Sequence, residues 1–198
     1  NPNFTDTGSE LITNGDFAVS GTLTSTSWSL GWRAGDNGLS ISDGALNLVN
    51  DGSGFVGRAY ATNGVDSYNG VIEVGKSYSL TYEVTENIDA ATLYYYAGSF
   101  VSIAKDVNVH TVEFTATTDF FLLRNGSSNT TIKIDNVSVK ELGADWTAYT
   151  SGTSTVEYNS TGANLLIDSA ANGGSNVGVY QENIFELGKS YKIVLSMK

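Results

Sequence analysis

Gly75-Lys76-Ser77-Tyr78-Ser79-Leu80-Thr81-Tyr82-Glu83-Val84 decides the fold class. Gly75-Lys76 reads as a turn, after which Tyr78, Leu80, Tyr82 and Val84 alternate with Ser77, Ser79, Thr81 and Glu83. Successive side chains of a strand point to opposite faces, so the stretch is a half-buried antiparallel strand with one core face. The same alternation gives His110, Val112, Phe114 and Ala116 an inward parity and Thr111, Glu113 and Thr115 an outward one. Phe121 and Leu123 point one way, Phe120, Leu122 and Arg124 the other, and Asn125-Gly126 then turns the chain. No stretch combines a 3.6-residue period with a cap and a stop, so almost no helix is expected. Short alternating segments between Gly and Asn clusters predict an all-β sandwich or barrel.

The composition fits that reading and removes several functions. The chain has 198 residues, with Ser 23, Thr 21, Asn 18 and Gly 22, and 11% aromatic side chains, too many for a disordered segment. Ten basic against 21 acidic residues give a net charge of -11, which disfavours a phosphate-tracking surface and hence nucleic acid. The absence of Cys removes disulfides, thiolate metal sites and thiol catalysis. No apolar run approaches the ~20 residues of a membrane span, so membrane insertion is not expected. The opening at Asn1, with neither Met nor a signal-peptide pattern, suggests a processed or excised piece of a longer protein.

The chain also repeats itself. Val71-Ile72-Glu73-Val74-Gly75-Lys76-Ser77-Tyr78 returns as Ile184-Phe185-Glu186-Leu187-Gly188-Lys189-Ser190-Tyr191. Trp32 precedes Gly75 by 43 residues and Trp146 precedes Gly188 by 42, and Gly44-Ala45-Leu46-Asn47-Leu48 is echoed by Gly162-Ala163-Asn164-Leu165-Leu166. Shared order and spacing predict two copies of one β unit, with a boundary near Leu142-Gly143-Ala144. Nothing in the second copy matches Glu83 through Val139, so the expectation is one complete domain over 1–142 and the first half of a second similar domain over 143–198. Such a half leaves an apolar face open.

Two local features carry chemical information. Ile132 and Ile134 share one parity, Val137 and Val139 the opposite one, and Asp135-Asn136 lies between. Either an extra residue is accommodated there in a β-bulge, which frees carbonyls and lets Asp135 meet a cation, or the strand swaps sheets or leaves the core. In Leu93-Tyr94-Tyr95-Tyr96-Ala97, Leu93, Tyr95 and Ala97 make a core face and leave Tyr94 and Tyr96 outside. Those two rings are either a flat platform or cross-strand partners that add stability. Trp28, Leu30 and Trp32 alternate with Ser29 and Gly31, which allows both indoles one face. The recurrence of Trp32 alone, as Trp146, makes Trp32 the structural one. His110 reads as a strand histidine in line with Val112 and Phe114, and Gly35-Asp36-Asn37-Gly38 and Asn50-Asp51-Gly52-Ser53-Gly54 as solvated turns.

Glu10-Leu11-Ile12-Thr13-Asn14-Gly15-Asp16-Phe17, then Gly-Lys-Ser-Tyr, then Ile134-Asp135-Asn136-Val137-Ser138-Val139 form an ordered set. That set resembles the galactose-binding-like jelly rolls, in particular carbohydrate-binding modules of the family 4 and 9 type. It covers residues 10–141, and 143–198 for the first half. Tandem copies ending in a phrase like Asp-Asn-Val-Ser-Val-Lys-Glu also resemble bacteriophage tail-fibre and other virion proteins. The resemblance implies a jelly-roll β-sandwich of two antiparallel sheets, with a sugar site on one concave face or at the loops. It further implies one structural Ca2+ between the N-terminal segment and Asp135, with carbonyls near Thr13 and Asn14. Ala18 stands where many members carry Glu, which leaves Asp16 as a substitute ligand.

The expected function is a non-catalytic carbohydrate-binding or adhesion module, outside the cell or on a virion surface, among further domains or neighbouring chains of a fibre. Its alternatives are a structural repeat without a ligand, or an accessory module of a secreted polysaccharide-degrading enzyme. No nucleophile elbow, zinc motif or phosphate loop is present, and no carboxylate pair stands out for glycoside hydrolysis. Sugar sites pair flat aromatics with fixed donors, which selects Tyr94, Tyr96 and Arg124, and Trp28, Arg58 and Tyr60 if they border the same sheet. The acidic net charge favours a neutral glycan.

Overall fold

The computed structural model describes residues 7–35, 39–53, 57–151, 154–166, 176–181 and 187. Its strands are β1 (Thr7–Glu10), β2 (Gly21–Thr22), β3 (Trp32–Ala34), β4 (Ser40–Ser42), β5 (Ala45–Asn50), β6 (Gly57–Ala61), β7 (Ser77–Ile88) and β8 (Leu93–Tyr96). There follow β9 (Phe100–Ile103), β10 (Val109–Thr115), β11 (Leu122–Asn125), β12 (Thr130–Leu142), β13 (Thr147–Thr150), β14 (Thr155–Asn159), β15 (Gly162–Leu166) and β16 (Val177–Tyr180). Among the described residues the helical content is one 3-10 turn, Trp28–Leu30, and no helix is long and apolar enough to cross a membrane.

Two antiparallel sheets make a jelly-roll sandwich. One runs β10-β7-β12-β5-β4-β2, with β1 added on β12, and the other β3-β6-β11-β8-β9. Neighbours such as β12 between β5 and β7, or β11 between β6 and β8, are far apart in sequence, because the chain alternates between the sheets as it winds. The alternation read from the sequence holds: Tyr78, Leu80, Tyr82, Val84, Leu93, Phe121 and Leu123 are buried, while Thr111 and Thr115 are exposed. The sheets meet through aromatic rings. Phe114 lies 5.5 Å from Tyr78, its partner in the seven-stranded sheet, and 5.0 Å from Tyr95 and 6.0 Å from Phe121 across the core. Trp32 is fully buried against Phe17 at 5.7 Å, so the two indoles do not share a face: the 3-10 turn and Gly31, at φ 75°, break the alternation before Trp32.

The parity break in β12 is a bulge, not a change of sheet. Asp135 pairs with Glu83 and Ser138 with Thr81, so three steps on β12 face two on β7, and Asn136 takes φ 50°. All four of Ile132, Ile134, Val137 and Val139 thereby reach the core. Gly15 seals the bulge. Its carbonyl accepts the Val137 N–H at 2.8 Å, and a Cβ there would stand 2.0 Å from the Val137 carbonyl oxygen.

Beyond Leu142 the described strands form two separate pairs, β13 with β16 and β14 with β15. The β14–β15 hairpin rests on the outer face of the seven-stranded sheet: the Tyr158 N–H donates to Ser77 Oγ at 3.2 Å and the Ser160 N–H to Glu113 at 3.1 Å. Tyr149, Leu165, Leu166 and Tyr180 stay exposed. Residues 184–186 and 188–191, which carry the second Gly-Lys-Ser-Tyr phrase, lie outside the described residues.

Two outcomes follow from this core. Phe114→Ala should cost about 3 kcal/mol or more in denaturant unfolding, and Thr111→Ala under about 0.5 kcal/mol. Burial, with a smaller contribution from the Asp106 charge, pushes the Tyr82 hydroxyl up to about 12, and burial also raises Tyr78 and Tyr95. Above pH ~10 the unfolded chain ionises its tyrosines while the folded chain keeps these protons, so stability is intact below that pH and falls as pH rises toward ~12. Unfolding free energies measured across that window should fall, and more gently in Tyr82→Phe.

Candidate functional site

The outer face of the five-stranded sheet gathers the predicted residues. Register puts Arg58, Arg124 and Tyr94 in one cross-strand row, and Tyr60, Leu122, Tyr96 and Phe100 in the next, with Arg33 opposite Tyr60. Side chains directly opposite on neighbouring strands share a face. Trp28 joins them from the 3-10 turn, Tyr68 from the loop after β6, and Phe120 from the residues entering β11. All six predicted side chains therefore lie on one surface. Sequence reasoning missed Arg33, Tyr68 and Phe100 as members. Arg33 was legible, since it alternates with buried Trp32 and Ala34, and the outward parity of Phe120 was read without being used.

The rings form an unbroken belt. Trp28 stacks on Tyr68 at 6.4 Å and 11°, and Tyr68 meets Tyr60 at 5.2 Å and the edge of Phe120 at 5.7 Å. Phe120 stacks on Tyr96 at 5.3 Å and 17°, Tyr96 meets Phe100 at 4.9 Å, and Phe100 meets Tyr94 at 6.3 Å. The belt covers Leu122, which is only 2% exposed, yet six of its rings are half-buried and Phe100 is exposed. Two guanidinium groups lie among the rings. That of Arg33 stands 4.5 Å from Tyr68, 4.9 Å from Tyr60 and 5.3 Å from Trp28, and that of Arg124 stands 4.7 Å from Phe100 and 5.9 Å from Tyr94. These are cation–π distances.

Backbone geometry holds the loop-borne rings. Thr62 donates its N–H to the Gly31 carbonyl at 2.9 Å and its hydroxyl to the Trp28 carbonyl at 3.0 Å, tying the Trp28 turn to the end of β6. A Cβ on Gly31 would lie 2.2 Å from the Thr13 carbonyl oxygen, so only glycine passes there. The Asn63 side-chain oxygen accepts N–H bonds from Val65, Asp66 and Ser67, closing the turn that presents Tyr68.

A concavity of about 370 Å3 lies between the N-terminal turn and the bulge and is lined by Glu10, Asn14, Asp16 and Ser138 among others. Its polar groups are already engaged. Glu10 accepts the N–H groups of Leu11, Ile12 and Val139 and the Ser138 hydroxyl. The Asn14 side chain braces Val19 and Leu30, Asp16 accepts the Ala18 N–H, and Asp135 accepts the N–H of its own neighbour Asn136 at 2.6 Å. Thr13 is exposed, with its carbonyl against Gly31. Calcium takes six to eight oxygens, and no three acidic or histidine side chains converge among the described residues. At this junction the carboxylates of Glu10, Asp16 and Asp135 accept backbone N–H groups of the chain itself. His110 hydrogen-bonds the Asp106 carbonyl at 2.9 Å and packs on Tyr82 at 5.3 Å. Asp51 accepts both the N–H and the hydroxyl of Ser53 in a solvated turn, and these bonds lower its pKa. Residues 36–38 and 54 lie outside the described residues.

No family model matches the chain. No curated protein matches it either. Solved structures with some likeness include "BiXyn10A CBM1 APO", 16% identical over 69% of this chain and 92% of that one, with a TM-score of 0.38. "CBM4 structure and function" is 14% identical over 66% and 99%, at 0.42. A mutant of CBM29-2, from work on ligand recognition by family 29 carbohydrate binding modules, is 14% identical over 62% and 90%, at 0.36.

For the N-terminal concavity, the expected outcome is a melting temperature that does not change between millimolar calcium and excess chelator. A calcium-dependent rise that Asp135→Ala removes would instead place an ion at the bulge, because an ion bound only by the native state stabilises it.

Proposed function

We propose that the first β-sandwich, residues 1–142, is a non-catalytic carbohydrate-binding module whose ligand lies along the ring belt. The observation that carries this reading is the belt itself. Its rings cross β6, β11, β8 and β9, about 14 Å at the ~4.8 Å strand spacing, and stay open to solvent on one side. Pyranose rings have apolar C–H faces that gain dispersion contact on aromatic surfaces, while their hydroxyls find donors such as the arginine edges at the rim. Hydrolysis needs two carboxylates about the scissile bond, and the five strands beneath the belt contain neither Asp nor Glu.

The repeated phrases support a second such unit beginning after Leu142. A tandem array suits a virion fibre that recognises host glycan, or a secreted polysaccharide-degrading protein, because linked weak sites gain avidity. A purely structural repeat is the competing reading, and the mutual stacking of the rings favours it. At long range the net charge of -11 favours a neutral polymer, but the belt itself carries the opposite sign.

Affinity electrophoresis against a glycan panel separates the two readings. Tyr94→Ala with Tyr96→Ala should abolish retention while destabilising far less than Phe114→Ala, since both rings are half-exposed. A parent chain retained by no glycan, or a double mutant retained as well as the parent, would count against the belt as a sugar site.

A further inference from the structure

We propose that the glycan gripped by this face bears carboxylates, an acidic polysaccharide of the uronate class; the inference rests on the carbohydrate reading above. The chain contains three arginines, Arg33, Arg58 and Arg124. All three stand on the belt side of the five-stranded sheet, on β3, β6 and β11. The strands of that sheet hold no acidic residue, whereas those of the other sheet hold Glu10, Glu83, Glu86, Glu113, Asp135 and Glu141 against Lys133 and Lys140. Charge is therefore segregated between the layers. On the strands, the acidic excess lies on the sheet away from the belt, and charges beyond a Debye length of ~8 Å are largely screened there.

Arg58 and Arg124 are direct cross-strand partners, and Arg58 is itself engaged by a further group. No carboxylate among the described residues pairs with Arg33 or Arg124. Asp66 and Asp119, the acids nearest in sequence to Tyr68 and Phe120, lie in loops. A ligand carboxylate supplies the counter-charge that Arg33 and Arg124 lack among the described residues.

The guanidinium geometry suits that ligand. Each guanidinium carbon lies within 6 Å of two or three rings, which limits how far the group can swing. Arg33 uses Nη1 on the Ser25 carbonyl at 3.3 Å, and Arg124 donates no hydrogen bond to a described residue. The Nε atoms of both are buried without an acceptor. Arginine forks match carboxylates bidentately, and stacking on aromatic faces pre-orients the fork. The rings then carry the sugar faces between successive carboxylates.

The test is affinity electrophoresis and calorimetry of the full chain with polygalacturonate, alginate and hyaluronate, each beside its carboxyl-methylated form. Neutral xylan, a mixed-linkage glucan and poly(dT) complete the panel. At least one acidic polymer should bind about tenfold or more tightly than its own methyl ester, and the preference should shrink from about 0.05 to about 0.5 M NaCl. Arg124→Gln and Arg33→Gln should each erase most of it with the melting temperature nearly kept. Arg124→Lys, which keeps the charge and loses the fork, should recover only part. Equal binding of acid and ester, or binding to neutral polymers alone, overturns the inference and leaves the module reading standing. Retention by no polysaccharide overturns both, and tighter binding of poly(dT) than of any polysaccharide reassigns the face to single-stranded nucleic acid.

Discussion

The register of β11 between β6 and β8 is the constraint on which both faces of the five-stranded sheet depend. Phe121 and Leu123 are fully buried between the layers, and Leu122 and Arg124 stand on the other side. A slip of one residue would drive the Arg124 guanidinium into the core and lift Leu123 into the belt. Burying an unpaired charge costs several kcal/mol, so core packing holds the outer row in place as firmly as it holds itself. The arrangement of rings and arginines is thus inherited from hydrophobic burial on the reverse of the same strands.

The legible part of the molecule was the part governed by period-two alternation. Parity alone assigned Tyr78, Tyr82, Phe114 and Tyr95 inward and Tyr94, Tyr96 and Arg124 outward, and the break at Asp135-Asn136 marked the bulge. Alternation fails where strands stop. Trp28 shares spacing with Trp32 but sits on a 3-10 turn, and Tyr68 comes from a loop whose path depends on Asn63 and Thr62, so no periodic signal announces either. The net charge is limited in a different way. A sum over the chain says nothing of how charge is divided between two layers, and only the strand order reveals that division.

The phrases that suggest a metal have another explanation in bonding. Asn14-Gly15 and Asp135-Asn136 are distant in sequence but adjacent in space, joined where Val137 donates to the Gly15 carbonyl. Glu10 adds three backbone N–H bonds and a hydroxyl to the same junction. An extra residue in β12 leaves backbone groups out of the ladder, and the N-terminal turn supplies partners for them. A motif spread over both chain segments is what such mutual satisfaction requires, with or without an ion.

The interlocked belt also bears on how tightly any ligand can be held. Rings that already stack on one another, with guanidinium groups wedged among them, have spent most of their rotamer freedom during folding. Docking onto them therefore immobilises the ligand far more than the protein. The main entropic loss on association falls on the flexible linkages of the polymer. Stiff chains should be held longer than supple ones of the same chemistry.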